Sequence, residues 1–354
     1  MKARLRKTVL ELLVSFGVVL FALAVGGVFI ALSGNHVLES YRVLVRGAFG
    51  SPQRISEVFV KMVPLLLMAL GVSIAFRAKL WNIGSSGQMI IGTIFSTIAA
   101  LCLPGPPVLV FILTIAASLL GGALWAGIAA GLKNRFNANE VITTLMLNYV
   151  AVYALAYSVY GPLQEPGGYN YPQSSEIADA LKLTPLISGS RLNSGIFVAL
   201  IVVCLMLFFW KSKPGFQADL LGQGMSVSRY AGLRTSRAVL GTMMLSGALA
   251  GLAGWTEVHG IHYRLLEGIG RGYGDLAIVI ALLGKLSPIG IVIASFLFSV
   301  LLVGGASMQR MTDVPYSIVD IIQGVIILFI LAKSIFEVRL SLPGRRKEVE
   351  PHVG

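Results

Sequence analysis

The sequence predicts an all-α protein, a polytopic transmembrane helix bundle of about ten spans with two short or broken helices and an internal repeat. Three observations predict it. Of the 354 residues, 56% are hydrophobic and only 12% are charged, too few to surround an ordinary soluble core. The apolar residues run in stretches close to the roughly 20 needed to cross a bilayer. Two glycine-rich polar runs, Asn82-Ile-Gly-Ser-Ser-Gly-Gln88 and Gly272-Tyr-Gly-Asp275, interrupt those stretches in the two halves of the chain. Paired interruptions of that kind mark a path through a membrane.

The first stretch, 9–32, follows a basic start at Lys2, Arg4, Arg6 and Lys7. It is too long for a signal peptide and lacks a small-residue cleavage site, so it reads as a retained anchor. The spans that follow are 58–76, 88–103, 107–131, 140–160, 195–212, 238–257, 274–285, 287–306 and 315–334. The third and eighth are short enough for half-helices or re-entrant segments. Together they make one membrane domain over 1–354, with spans from about 9 to 334 and a tail at 335–354. Both termini are expected in the cytoplasm, because that orientation places most of the 28 basic residues inside. The net charge of +12 is explained by this sorting rather than by nucleic acid. Cys102 and Cys204 lie in apolar spans, which argues against a disulfide framework or metal site.

Two loops stand out by length. Residues 161–194, rich in Pro, Gly and Ser, fall outside; residues 213–237 fall inside, with Lys213, Arg229, Arg234 and Arg237 around a helix-compatible core. The inner loop is either a linker or a docking surface for a cytoplasmic partner. Small residues recur at four-residue spacing, Gly127 with Gly131 and Gly247 with Gly251, which lets helix backbones approach closely in lipid.

The candidate path residues are Asn82, Gln88, Asn148, Asp275 and Gln323. Glycines at 84 and 87 permit a broken backbone, and the flanking amides can hold an uncharged polar solute in a cavity or simply form a turn. Asn148 and Gln323 either line a passage or bond between helices. Glu140 suits its helix N-terminus, with Asn139 as the cap. No phosphate-cradling loop and no clustered catalytic groups occur, so no catalytic residue is assigned. His259 and His262 are near neighbours that read as a solvated loop rather than a metal site.

Several strings resemble the membrane subunits of bacterial ATP-binding-cassette (ABC) importers, in the ribose, branched-chain amino acid and nucleoside permease family. They are Asn82-Ile-Gly-Ser-Ser-Gly-Gln-Met89, Asn139-Glu-Val-Ile-Thr-Thr-Leu-Met-Leu-Asn148, Arg229-Tyr-Ala-Gly-Leu233, Leu245-Ser-Gly-Ala-Leu-Ala-Gly-Leu-Ala-Gly254 and Ala281-Leu-Leu-Gly-Lys-Leu-Ser-Pro-Ile-Gly290. The likeness spans about 58–334 and is greatest to the nucleoside (simple-sugar) subgroup. It implies a permease, not an enzyme, that forms the path for a nucleoside or, alternatively, a ribose-like sugar. An ion-coupled secondary transporter is the other alternative, disfavoured by central spans nearly free of Lys, Arg and His. The resemblance further implies no cofactor on this chain, ATP on a partner ATPase, a second and related permease subunit, and an extracytoplasmic substrate-binding protein. It places the chain in the bacterial inner membrane. It also makes 213–237 the coupling loop, where the family pattern Gly-x-Asn-x-x-Ala-Ala-Arg-Tyr-Ala-Gly-Ile is kept at Gly222, Arg229, Tyr230, Ala231, Gly232 and, approximately, Leu233. Gly224 replaces the Asn, and Val227 and Ser228 replace the two Ala.

Overall fold

The computed structural model describes residues 17, 20–167, 170–312 and 314–340, with backbone alone at 327 and 330–340. The expected first span up to 16 and the basic residues before it lie outside the described residues, as does the tail from 341. Among the described residues there are helices and a few isolated bridges, and no strand.

In chain order the helices are α1 (Leu20–Leu32), α2 (Val37–Phe49), α3 (Pro52–Arg77), α4 (Ser85–Cys102), α5 (Pro107–Phe136), α6 (Glu140–Tyr160), α7 (Gly195–Phe209), α8 (Lys213–Gln223) and α9 (Met225–Tyr230). There follow α10 (Thr235–Glu257), running into a π-helical turn at Val258–His262, then α11 (Tyr273–Leu283), α12 (Pro288–Thr312) and α13 (Ser317–Leu340). Among the described residues, six are long and apolar enough to cross a membrane, or eight if each of two bent pairs counts as one span. The expected eighth span is an 11-residue helix, α11. Helix α2 falls where the sequence reading places only a loop, because its Glu39, Arg42 and Arg46 break the apolar run without breaking the helix.

The chain divides into two compact units, Tyr41–Met311 and a smaller one of the residues up to Ser40 with those from Thr312. In the smaller unit the Phe21 and Phe329 rings lie 4.6 Å apart, and Ala22, Ile30, Val319, Ile322 and Ile326 are buried.

The larger unit is organised around α3. Ser51 caps it by accepting from the Arg54 amide, and Pro52 suits the first helical turn. Of its most apolar stretch 89% is buried, against 22% for α6, so α3 is the central post and α6 presents its side chains to lipid. α3 packs against α10, α11, α7 and α8, and α10 packs in turn against α4 and α5.

Glycine sets the α5–α10 crossing. A Cβ added at Gly251 would overlap the Ser118 carbonyl, and Gly122 and Gly247 face each other so closely that neither can carry a side chain. Gly92 of α4 meets the same Gly251. In a bilayer, where no hydrophobic effect drives helices together, such close backbone approach supplies the association energy. The expectation holds for Gly247 and Gly251. It is corrected for Gly127 and Gly131, of which the second meets nothing and the first only the Met244 and Leu240 side chains. The partners are Gly122 and Ser118, five and nine residues before Gly127.

Candidate functional site

Between the end of α3 and the start of α4 the chain is non-helical, and its polar groups are satisfied by a small set of side chains. Asn82 is fully buried. Its Nδ2 donates to Gln88 Oε1 (3.0 Å) and Ser246 Oγ (2.9 Å), and its Oδ1 accepts from Gln88 Nε2 (2.8 Å) and the Gly84 amide (3.0 Å). From α6, Thr144 Oγ1 accepts from the Ile83 amide at 3.2 Å. Asn148 spans the break: its Oδ1 accepts from the Gly87 amide at 2.8 Å and its Nδ2 donates to the Ile83 carbonyl at 2.9 Å. The reason is general. Broken backbone at membrane depth must find internal partners, and an amide side chain supplies one donor group and one acceptor group. The run is Gly-rich because Asn148 closes on Gly87 from within contact distance, leaving no room for a Cβ.

Asn148→Leu would leave the Gly87 N–H and the Ile83 carbonyl unpaired, at about 1–3 kcal/mol for each buried group. The expected result is uptake reduced by at least tenfold with ATPase co-purification unchanged. Normal uptake would show that the break tolerates the loss.

The second polar run arrives at the same place. Gly274, in the first turn of α11, lies so close to Ser86 that a Cβ there would overlap the Ser86 hydroxyl. The starts of α4 and α11 therefore meet, with Asp275 exposed in the first turn of α11. Of the sequence-assigned residues, the structure thus brings together Asn82, Gln88 and Asn148, whereas Asp275 is exposed and only its neighbour Gly274 meets the start of α4. Gln323 belongs to the other unit, where it is 6% exposed and its Nε2 has no partner among the described residues.

Two ionisable groups, Lys61 and Glu257, have no assignment from the sequence, and a third, His259, is expected in a solvated loop. Lys61 of α3 donates to the Tyr273 hydroxyl at 2.7 Å, at the start of α11. Glu257 is 1% exposed, with one carboxylate oxygen 3.2 Å from His262 Nε2 and the other without a partner. His259 is fully buried, its Nε2 2.9 Å from Ser96 Oγ and its Nδ1 2.8 Å from the Leu181 carbonyl, its ring stacked on Trp255. The expected solvated loop is corrected here: the π-helical turn after α10 continues the helix and carries His259 into the core. Among the described residues no three His, Cys, Asp or Glu side chains converge on a metal position.

The long polar loop 161–194 folds back onto this turn rather than hanging free. Its Ser174, Ile177 and Leu183 amides donate to the Leu265, Tyr263 and His259 carbonyls, and Ile177, Leu181 and Leu183 are buried. An ion cluster of Lys182 with Glu176 and Asp179, and of Arg264 with Glu165 and Glu176, closes its surface. The hydrogen bonds and charge of Lys182 hold the Glu176 and Asp179 carboxyls below their ordinary values, and those two carboxylates raise Lys182. The carboxylate contribution is complete above the ordinary acid range and fades as pH falls through the lowered values; that of Lys182 fades as pH rises through its raised one. Amide protection factors in 176–182, corrected for the intrinsic pH dependence of exchange, should therefore stay flat from about pH 5 to about pH 10 and fall below about pH 4. Because these groups are exposed, the change is small and should shrink in high salt. A protection profile sloping through neutral pH would contradict the cluster.

On the inner loop, α7 and α8 meet at 67°. Two contacts fix α8 on the end of α3. Arg77 forms a two-pronged pair with Asp219 (2.9 and 2.8 Å) while its guanidinium lies 3.6 Å over the Trp210 ring. Gly222 sits against the Arg77 carbonyl, with no space for a Cβ. Two of the three departures from the family pattern then acquire a role. Gly224, at φ 134 and ψ 151, occupies backbone space that only glycine enters readily, and so separates α8 from α9. Ser228, fully buried, places its hydroxyl 2.9 Å from both the Leu220 and Gly224 carbonyls and ties the two short helices. Beyond the junction, Arg229, Tyr230, Ala231 and Gly232 are exposed, Tyr230 at 98%. Gly232 takes φ 76 to end α9.

The family described as "Branched-chain amino acid transport system / permease component" matches residues 54–331. The chain is 36% identical over 330 residues to the glucose ABC transporter permease protein TsgB13 of Haloferax volcanii, covering 90% of this chain and 87% of that one. It is 33% identical over 329 residues to the guanosine ABC transporter permease protein NupP of Bacillus subtilis, with 92% and 94% covered. It is 32% identical over 342 residues to the nucleoside ABC transporter permease protein NupB of Lactococcus lactis, with 93% of each covered. With its apolar helices and two helix starts meeting inside the bundle, the chain belongs to this permease family: it is a multi-pass membrane transport subunit of an ABC system, not an enzyme, and works with a separate ATPase.

Proposed function

We propose that this permease carries nucleosides inward, in the bacterial inner membrane with both termini in the cytoplasm. The observation that carries the reading is likeness over more than nine-tenths of the chain to permeases named for guanosine and for nucleosides. Two helix N-termini meet at Ser86 and Gly274. They offer partial positive charge to the hydroxyl and carbonyl oxygens of a neutral solute. Asn82, Gln88 and Asn148 hold the break in shape, and Asp275 stands at its edge. A sugar is the second reading, favoured by likeness to a glucose permease.

ATP is bound and hydrolysed on the partner chain, which grips Arg229, Tyr230, Ala231, Gly232 and Leu233, while Gly222, expected in the same contact, is buried against Arg77 and seats α8 instead. A second, related permease completes the path, and an extracytoplasmic binding protein delivers the solute to the face formed by 161–194. The nucleotide state drives transport only through its different affinity for two conformations of the bundle. Uptake of labelled guanosine, ribose and glucose by cells with and without the gene tests the substrate. Loss of guanosine uptake alone is expected on deletion; loss of glucose or ribose uptake alone would replace the nucleoside reading with the sugar one.

A further inference from the structure

A cleft of about 640 Å³ opens where α7 turns into α8 and α10 begins, lined by both cationic and apolar side chains. Lys213, Arg234 and Arg237 are its cations. All three are exposed, and no carboxylate among the described residues pairs with any of them; Asp219, on the same helix as Lys213, is held by Arg77. No side chain caps the start of α10, so the positive end of a 23-residue helix faces the same space. Phe209, Ala238 and Leu245 are among its apolar lining. Phe209 ends α7, and Ala238 and Leu245 belong to α10, one of the helices long and apolar enough to span a bilayer.

We propose that this cleft is a binding site for one anionic phospholipid of the inner leaflet. Its phosphate sits among Lys213, Arg234 and Arg237, and an acyl chain runs along Phe209, Ala238 and Leu245. Three unpaired cations in a row are a standing electrostatic cost unless an anion covers them, and basic pockets between membrane helices on this side suit anionic head groups. An acidic segment of the soluble ATPase matches the three cations alone, whereas a phospholipid matches both the cations and the apolar lining at once. Because Ala231, Gly232 and Leu233 also line the cleft, a bound lipid would brace the segment from which Tyr230 projects.

The test is lipid retention by the full-length chain, extracted in mild detergent from vesicles of phosphatidylglycerol and phosphatidylethanolamine and weighed by native mass spectrometry. Wild type should retain phosphatidylglycerol in preference to phosphatidylethanolamine. Arg234→Gln with Arg237→Gln should lower that retention by roughly 25-fold, at about fivefold per cation. Arg135→Gln with Lys211→Gln, which removes equal charge outside the cleft, should not. Ala238→Trp, which crowds the apolar lining and leaves the charge alone, should also lower retention. Equal retention by all variants, no preference for the anionic lipid, or expulsion of the lipid when the ATPase is co-purified would overturn the proposal.

Discussion

Gly251→Val should leave little folded protein in the membrane. The added side chain would enter the Ser118 carbonyl and press on the Gly122 amide, both backbone of α5. Overpacking by a few methyl groups costs about 1–3 kcal/mol where side chains can yield. Here the obstacle is backbone, so the cost should reach at least about 3 kcal/mol, a hundredfold or more in the folded fraction. Size-exclusion profiles of a fluorescent fusion should show the monodisperse peak lost for Gly251→Val, and Gly131→Val should leave it intact because that position meets open space. Equal peaks for the two variants would disprove the α5–α10 crossing.

Tyr230→Asp should do the opposite, sparing the fold and uncoupling the transporter. At 98% exposure Tyr230 contributes almost nothing to its own chain, so its replacement should move stability by no more than about 0.5 kcal/mol. An aromatic side chain projecting from a short helix tied at both ends is what an interface anchor looks like, and loss of such an anchor costs about 2 kcal/mol or more, roughly thirtyfold in affinity. The expected result is ATPase lost from the purified complex and solute-stimulated hydrolysis abolished, with an unchanged melting profile. Gly232→Asp should behave similarly, with an added strain penalty from its positive φ. Retention of a full complement of ATPase by Tyr230→Asp would move the contact elsewhere.

The features most legible in the sequence were those written in residue type and spacing. Gly247 and Gly251 announce a close crossing, and the Asn82 and Gly272 runs announce breaks in the helices. The inner loop shows its basic residues. What the spacing could not state was the partner. Gly127 and Gly131 carry the same four-residue signature as Gly247 and Gly251, yet the rotation of α5 turns Gly122 and Ser118 to the interface instead. Asn82, Gln88 and Asn148 were recognised as unusual polar groups in a membrane chain, but only three-dimensional placement shows that they bond to one another and to the broken backbone. His259 escaped because a π-helical turn is invisible to hydropathy: the extra residue per turn carries a His-Gly-Ile-His string inward. Helix α2 escaped for a related reason, its charged stripe failing a test that counts only uninterrupted apolar length.

The clamp between Arg77 and Asp219 has a mechanical consequence. Its two parallel bonds and the indole beneath fix angle as well as distance, so α8 cannot tilt without carrying the end of α3 along. From that end the chain passes straight into Asn82, the keystone of the helix break. A push on α8 thus has a short lever to the helix break, one whose fulcrum is a single guanidinium.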